Sequence, residues 1–294
     1  MGIAIMLVVF LHLSMLIPDE RSIMPRILRF VFQNGSIGVN IFVFLSAYGL
    51  CFSLNNNNLK EFYLRRFKRI YPIYPIWIII AYLYYDVRFN PFSFFLLQLT
   101  GIGLFIPQSP NNWYMEYITL IYILFPFIFG LLYHYSKYII PCSYVIIFAS
   151  LFVCMFVKNY DLTHAISRIP MLISGILVYV CEKKSKYNSL LMTLTVFAML
   201  SICNFVRESF LFIPLVCIAL SQVQKPLLYN TISFLGKYSI EIFLTHIFAI
   251  KLLFLTQYTF INIVLCCIGL VLFPFIAHCI QEWPYKTLID KNCL

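Results

Sequence analysis

The sequence predicts an all-α fold, a polytopic bundle of membrane-spanning helices, and three observations carry that prediction. Of 294 residues, 62% are hydrophobic and only 11% charged, against roughly 45–50% and about 25% in an ordinary soluble domain. Apolar runs of membrane-spanning length recur from one end of the chain to the other. The 21 Lys and Arg residues sit mainly between those runs. A water-soluble globule is excluded, because 30 Phe, 21 Tyr and 3 Trp leave too little polar surface to wet a core of that size. The net charge of +10 reads as an orientation signal for the spans, with no nucleic acid as partner.

The apolar runs are Ile3 to Ile17, Ser36 to Leu54, Tyr71 to Tyr85, Pro91 to Ile106, Trp113 to Tyr133, Tyr138 to Val157 and Arg168 to Cys181. Leu190 to Val206, Phe210 to Ser221, Ile240 to Tyr258 and Phe260 to Ile280 complete the set of eleven. A span needs about 20 residues, so Pro91 to Ile106 and Phe210 to Ser221 are marginal; the former also carries the breakers Gly101, Gly103 and Pro107. Charge arbitrates. The densest basic stretch, with Lys60, Arg65, Arg66, Lys68 and Arg69, and the Lys183, Lys184, Lys186 loop should both be cytoplasmic. They share a side only if Pro91 to Ile106 is re-entrant. That reading leaves ten spans with both termini in the cytoplasm, a multi-pass protein of the inner or plasma membrane, treated as a single domain over residues 1–294.

The first run looks like a signal peptide but lacks a basic start, holds His12, and is followed by no small-residue cleavage site, so it is read as a first span. No internal repeat and no inverted pair of interrupted helices is evident. The ten cysteines form no C-x-x-C pair, and nine lie in or beside apolar runs, where they act as small hydrophobes. No metal is expected.

Ionisable groups within a membrane cost about 2.5–3.5 kcal/mol each on insertion scales, which makes each one a functional hypothesis. His12, Glu116, Glu241, His246, Lys251 and His278 lie within or at the ends of apolar runs. The plainer reading of His12 is a neutral imidazole bonded to a neighbouring helix, and Lys251 and His278 are near enough to run ends to snorkel. In the segment Lys60 to Pro72, basic residues alternate with aromatic and apolar ones on a short interfacial helix. By charge alone it is an orientation signal touching anionic lipid. The functional reading is a phosphate clamp for a polyphosphate such as coenzyme A, since each Arg offers a planar fork.

At this point an ordered set of motifs resembles the membrane acyltransferase-3 family, over nearly the whole chain. The first-span pattern R-G-x-A-x-x-x-V-x-x-x-H is matched from Gly2 to His12, and G-V-D-x-F-F-x-x-S-G stands as Gly38 to Ala47, with Asn40 and Ala47 in place of Asp and Gly. The pattern F-x-x-R-R-x-x-R-I-x-P is nearly complete from Phe62 to Pro72. Trp113 to Glu116 leads to Phe125-Pro126, Ser167-Arg168-Ile169-Pro170 precedes Gly175, Leu235 to His246 resembles L-G-x-x-S-x-x-x-Y-L-x-H, and Glu282-Trp283-Pro284 resembles E-x-P. The family's first Arg would fall at Met1. Either the natural start lies upstream or the chain is impaired, and the short first run favours the former.

The resemblance implies transfer of an acyl group, most often acetyl, from cytoplasmic acyl-CoA (acetyl-CoA) to a hydroxyl of an envelope polysaccharide or lipid-linked sugar. His12 is then the general base and Glu116 orients it or the acceptor. Arg65, Arg66 and Arg69 hold the CoA phosphates. Asn40, Ser46, Trp113, Arg168 and His246 are assigned to substrate or oxyanion contact. Membrane lipid and the glycan acceptor are the partners, with the oligomeric state open. Two rivals remain, a glycan-lipid transporter or flippase and an inactive membrane partner; release of CoA thiol separates them from an enzyme.

Overall fold

The computed structural model describes residues 1–16, 35–81, 83, 92–106, 113–184, 226–251 and 259–291. Among these there is no strand. The runs Leu190 to Val206 and Phe210 to Ser221 lie outside the described residues, as do the basic positions Arg21, Arg26, Arg29, Arg88, Lys186, Arg207 and Lys225. The helices are α1 (Gly2–Leu16), α2 (Ile37–Asn56), α3 (Leu59–Ile70), α4 (Tyr74–Ala81), α5 (Phe92–Thr100), α6 (Trp113–His134), α7 (Ile139–Cys154), α8 (Tyr160–Ile166), α9 (Ile169–Lys184), α10 (Pro226–Lys237), α11 (Ser239–Lys251) and α12 (Thr259–Lys291). Five stretches are long and apolar enough to cross a membrane: Ile37–Asn56, Trp113–His134, Ser136–Cys154, Tyr160–Lys183 and Ile261–Glu282. Helix α1 is apolar but shorter, about 22 Å at 1.5 Å per residue.

Helices form here because the runs are rich in Leu, Ile and Phe, and in lipid every backbone N–H and C=O must be satisfied within its own segment. The outward side chains fit that solvent. Val145 and Phe152 on α7, and Val271 and Phe275 on α12, are large, apolar and exposed.

The chain folds into two compact units. The first joins Met1–Val39, Arg69–Ile73 and Leu220–Leu294; the second holds Asn40–Lys68 and Tyr74–Ala219. In the first, α1 packs on α10 and α11, and α11 on α12. Glycines permit the close approaches: the start of α1 lies on the Ile232 carbonyl through Gly2, and the entry to α2 lies on the Ala4 carbonyl through Gly38. In the second unit, α2 and α9 run in the same direction. Gly175 meets Phe44, Ala47 and Tyr48, and farther along both helices the Tyr48 hydroxyl donates to Glu182 Oε2 at 2.6 Å. A Phe52–Tyr179 ring contact at 4.8 Å continues the seam.

The stretch Pro91 to Ile106 breaks where its glycines stand. Helix α5 has nine residues, Gly101 takes a left-handed φ of 78°, and a short 3₁₀ turn follows over Ile102–Phe105. About 14 Å of helix is too little to cross a hydrocarbon core of about 30 Å. The sequence reading does not contain α8. It begins at Asn159, whose side-chain oxygen accepts from the Leu162 N–H at 3.2 Å, and Ser167 and Arg168 separate it from α9.

Candidate functional site

Two polar centres lie in these apolar helices, one in each unit. In the first unit, α1 carries His12 and α11 carries His246, and packing of the two helices brings the rings to 4.8 Å between centroids at 68°. His12 Nδ1 lies 2.9 Å from the Val8 carbonyl one turn back and 3.3 Å from His246 Nε2. His246 Nδ1 faces the carbonyls of Phe243 at 2.7 Å and Ile242 at 3.2 Å. His246 is 1% exposed, whereas the His12 ring is half-buried.

One turn and a half back on α11, Glu241 is fully buried. Its Oε1 lies 3.3 Å from His278 Nδ1 of α12 and 3.9 Å from the Arg69 guanidinium. Arg69 also donates to the Lys237 carbonyl at 3.0 Å, meeting an orphan acceptor at the C-terminus of α10. Gln281 donates to the Arg69 carbonyl at 3.1 Å. His278 is therefore tied to a carboxylate, where the sequence suggested snorkelling.

Helix α3 begins at Asn58, whose side chain accepts from the Glu61 N–H at 2.8 Å. It buries Phe62 and Ile70 and exposes Lys60, Arg65 and Lys68 beside Leu59, Tyr63 and Phe67. Neighbouring apolar and cationic arcs are the pattern of a helix lying in a membrane interface. The three arginines differ in their surroundings. Arg66 lies over the rings of Phe62 and Tyr122 at 5.5 and 5.7 Å, Arg69 meets Lys237 and Glu241, and Arg65 is exposed.

The second unit's centre forms at the N-terminus of α6. Glu116 is fully buried and its carboxylate lies against Gly103; a Cβ there would come within 2.9 Å of Oε1. Asn159 steadies that turn by donating to the Leu104 carbonyl at 3.3 Å while capping α8. Trp113 stacks on His164 at 5.5 Å, and the buried Arg168 guanidinium lies 5.9 Å from the Trp113 ring. Arg168 also donates to Ser167 at 3.3 Å. Asn40, on the first turn of α2, is fully buried, and neither its oxygen nor its nitrogen has a hydrogen-bond partner among the described residues. Ser46 is half-buried on the same helix.

The structure thus brings His12 together with His246 in one unit, and Trp113 with Arg168 in the other. Sequence reasoning did not select Glu241 for the site, although a carboxylate inside an apolar run was the available signal. His164 and Asn159 were missed because an isolated His or Asn beside a short helix carries no pattern. Among the described residues no group of three or more His, Cys, Asp or Glu side chains could hold a metal ion.

Long apolar helices enclosing titratable side chains define a helical membrane protein with a buried polar centre. The family model described as an acyltransferase domain matches residues 2–279, so the chain belongs to the acyltransferase-3 family and is an acyltransferase. No curated protein and no solved structure matches it.

Proposed function

We propose that the protein is a membrane O-acyltransferase that moves an acyl group, acetyl in the first instance, from cytoplasmic acyl-CoA to a hydroxyl of an envelope polysaccharide or a lipid-linked sugar. The observation that carries this reading is the His12 imidazole on an apolar helix, whose Nδ1 faces both a carbonyl and a second imidazole. A base fixed by a third group is the arrangement that hydroxyl activation needs. His12 takes the acceptor's hydroxyl proton as the oxygen attacks the thioester carbonyl. The carbon–sulfur bond then breaks, and the thiolate leaves as CoA thiol with the proton from His12.

Arg65 contacts the CoA phosphates, supported by its exposure on α3 between Lys60 and Lys68. In the second unit, Glu116 as an acceptor and the amide of Asn40 as a donor are suited to a hydroxyl-bearing ligand, supported by their burial in an apolar surrounding. The chain crosses the inner or plasma membrane ten times, with both termini cytoplasmic.

The test is CoA-thiol release and glycan O-acetylation in membranes containing the full chain. His12→Ala should lower turnover about 10²–10⁴-fold, the usual share of a general base, at unchanged protein level. Parent-level O-acetylation by that variant would sink the mechanism.

A further inference from the structure

We propose that His246 is a positioning residue for His12: it fixes the tautomer and the ring angle that leave His12 Nε2 as the lone-pair nitrogen. The proposal rests on the reading of His12 as the base.

The hydrogen positions follow from the acceptors. A carbonyl oxygen only accepts, so His246 Nδ1, 2.7 Å from the Phe243 carbonyl, carries that ring's hydrogen. In the neutral ring Nε2 then holds a lone pair, and it points at His12 Nδ1 at 3.3 Å. His12 Nδ1 also faces the Val8 carbonyl at 2.9 Å. Both neighbours of His12 Nδ1 are therefore acceptors, that nitrogen must be N–H, and the lone pair of the ring lies on Nε2. The reverse tautomer would set two lone pairs against the same nitrogen.

The arrangement accounts for all of His246. One nitrogen is bound to the helix backbone and the other to His12, and the ring is 1% exposed. Neither nitrogen remains to bind a substrate, and an oxyanion requires a donor, which Nε2 is not. The role that remains is to accept from His12: the Val8 carbonyl ties the ring to its own helix, and His246 ties it to α11 as well. When His12 Nε2 receives the acceptor's proton, the ring becomes cationic and its Nδ1–H a stronger donor, so the bond to His246 tightens during the reaction. Packing of α1 on α11 sets this pair.

The experiment measures CoA-thiol release at equal amounts of the full-length protein in membranes, with donor and acceptor each varied. His246→Leu should lower kcat about 10²-fold with donor KM within twofold of the parent. His246→Gln, which offers an amide oxygen near the place of Nε2, should stay within about tenfold of the parent. Adding His246→Leu to His12→Ala should cost no more than about twofold beyond His12→Ala alone, because His246 acts only through His12. A raised KM at parent kcat, equal losses for Leu and Gln, or a further large loss in the double variant would each overturn the proposal. Parent activity in His12→Ala would instead remove the reading on which it rests. If His12→Ala is inactive and His246→Leu keeps parent kcat, only this proposal fails.

Discussion

Arg65 and Arg69 project from α3 only about 40° apart around its axis, separated by about one turn along it, and the difference in what they meet gives opposite predictions. Arg69→Ala removes a charge-assisted hydrogen bond to the Lys237 carbonyl and one neighbour of buried Glu241. It should cost about 1.5–3 kcal/mol of stability, seen as a lower Tm in detergent. Arg65→Lys keeps the charge and loses the fork, so Tm should hold while donor KM rises several-fold; equal KM for parent and variant would leave Arg65 without a phosphate. From sequence these two arginines are equivalent members of one motif. The partners of Arg69, 168 to 172 positions away on α10 and α11, are what distinguish the two, and no local pattern reports a partner at that separation. His12 was legible because a histidine in a 15-residue apolar helix is conspicuous by itself. The assignment of His246 to substrate or oxyanion contact came from the family resemblance, and the positioning role proposed for it comes from its atomic partners, which no local pattern reports.

At the scale of elements, composition and breakers were enough to place most helices. The break in Pro91 to Ile106 at Gly101 was readable because glycine is the residue that takes φ of 78° without strain. The division of the stretch before Gly175 into α8 and α9 was not, since Asn159 acts through a single cap bond. The seam between α2 and α9 makes a sharper prediction. A Cβ on Gly175 would stand 2.5 Å from the Phe44 carbonyl and 2.8 Å from the Ala47 Cβ, so Gly175→Ala must push two helices apart. Overpacking of this kind costs about 1–3 kcal/mol, and close approach through small residues is how membrane helices associate. The variant should unfold at lower temperature in detergent. Ala47→Gly in the same chain should restore only part of the loss, because the carbonyl remains; full restoration would show that the backbone contact is unimportant.

For the whole molecule, the ten-span arrangement predicts that phosphatase fusions after Asn58 and after Lys184 are both inactive and that one after Val157 is active, since only the outer face supports that enzyme. Activity at just one of the two basic loops would require an odd number of crossings between them. The division into units carries a different consequence. The first unit is assembled from residues 1–39, 69–73 and 220–294, and its imidazole pair joins positions 234 residues apart. During synthesis α1 is made long before its partner helix α11. At a ribosomal rate of about 5–20 residues per second, the 234 positions from His12 to His246 take roughly 12–47 s. Until then His12 has no His246 to accept from it, so a nascent chain, or one ended before α11, turns over acyl donor no faster than His246→Leu, and the base reaches its full strength only once α11 stands beside α1.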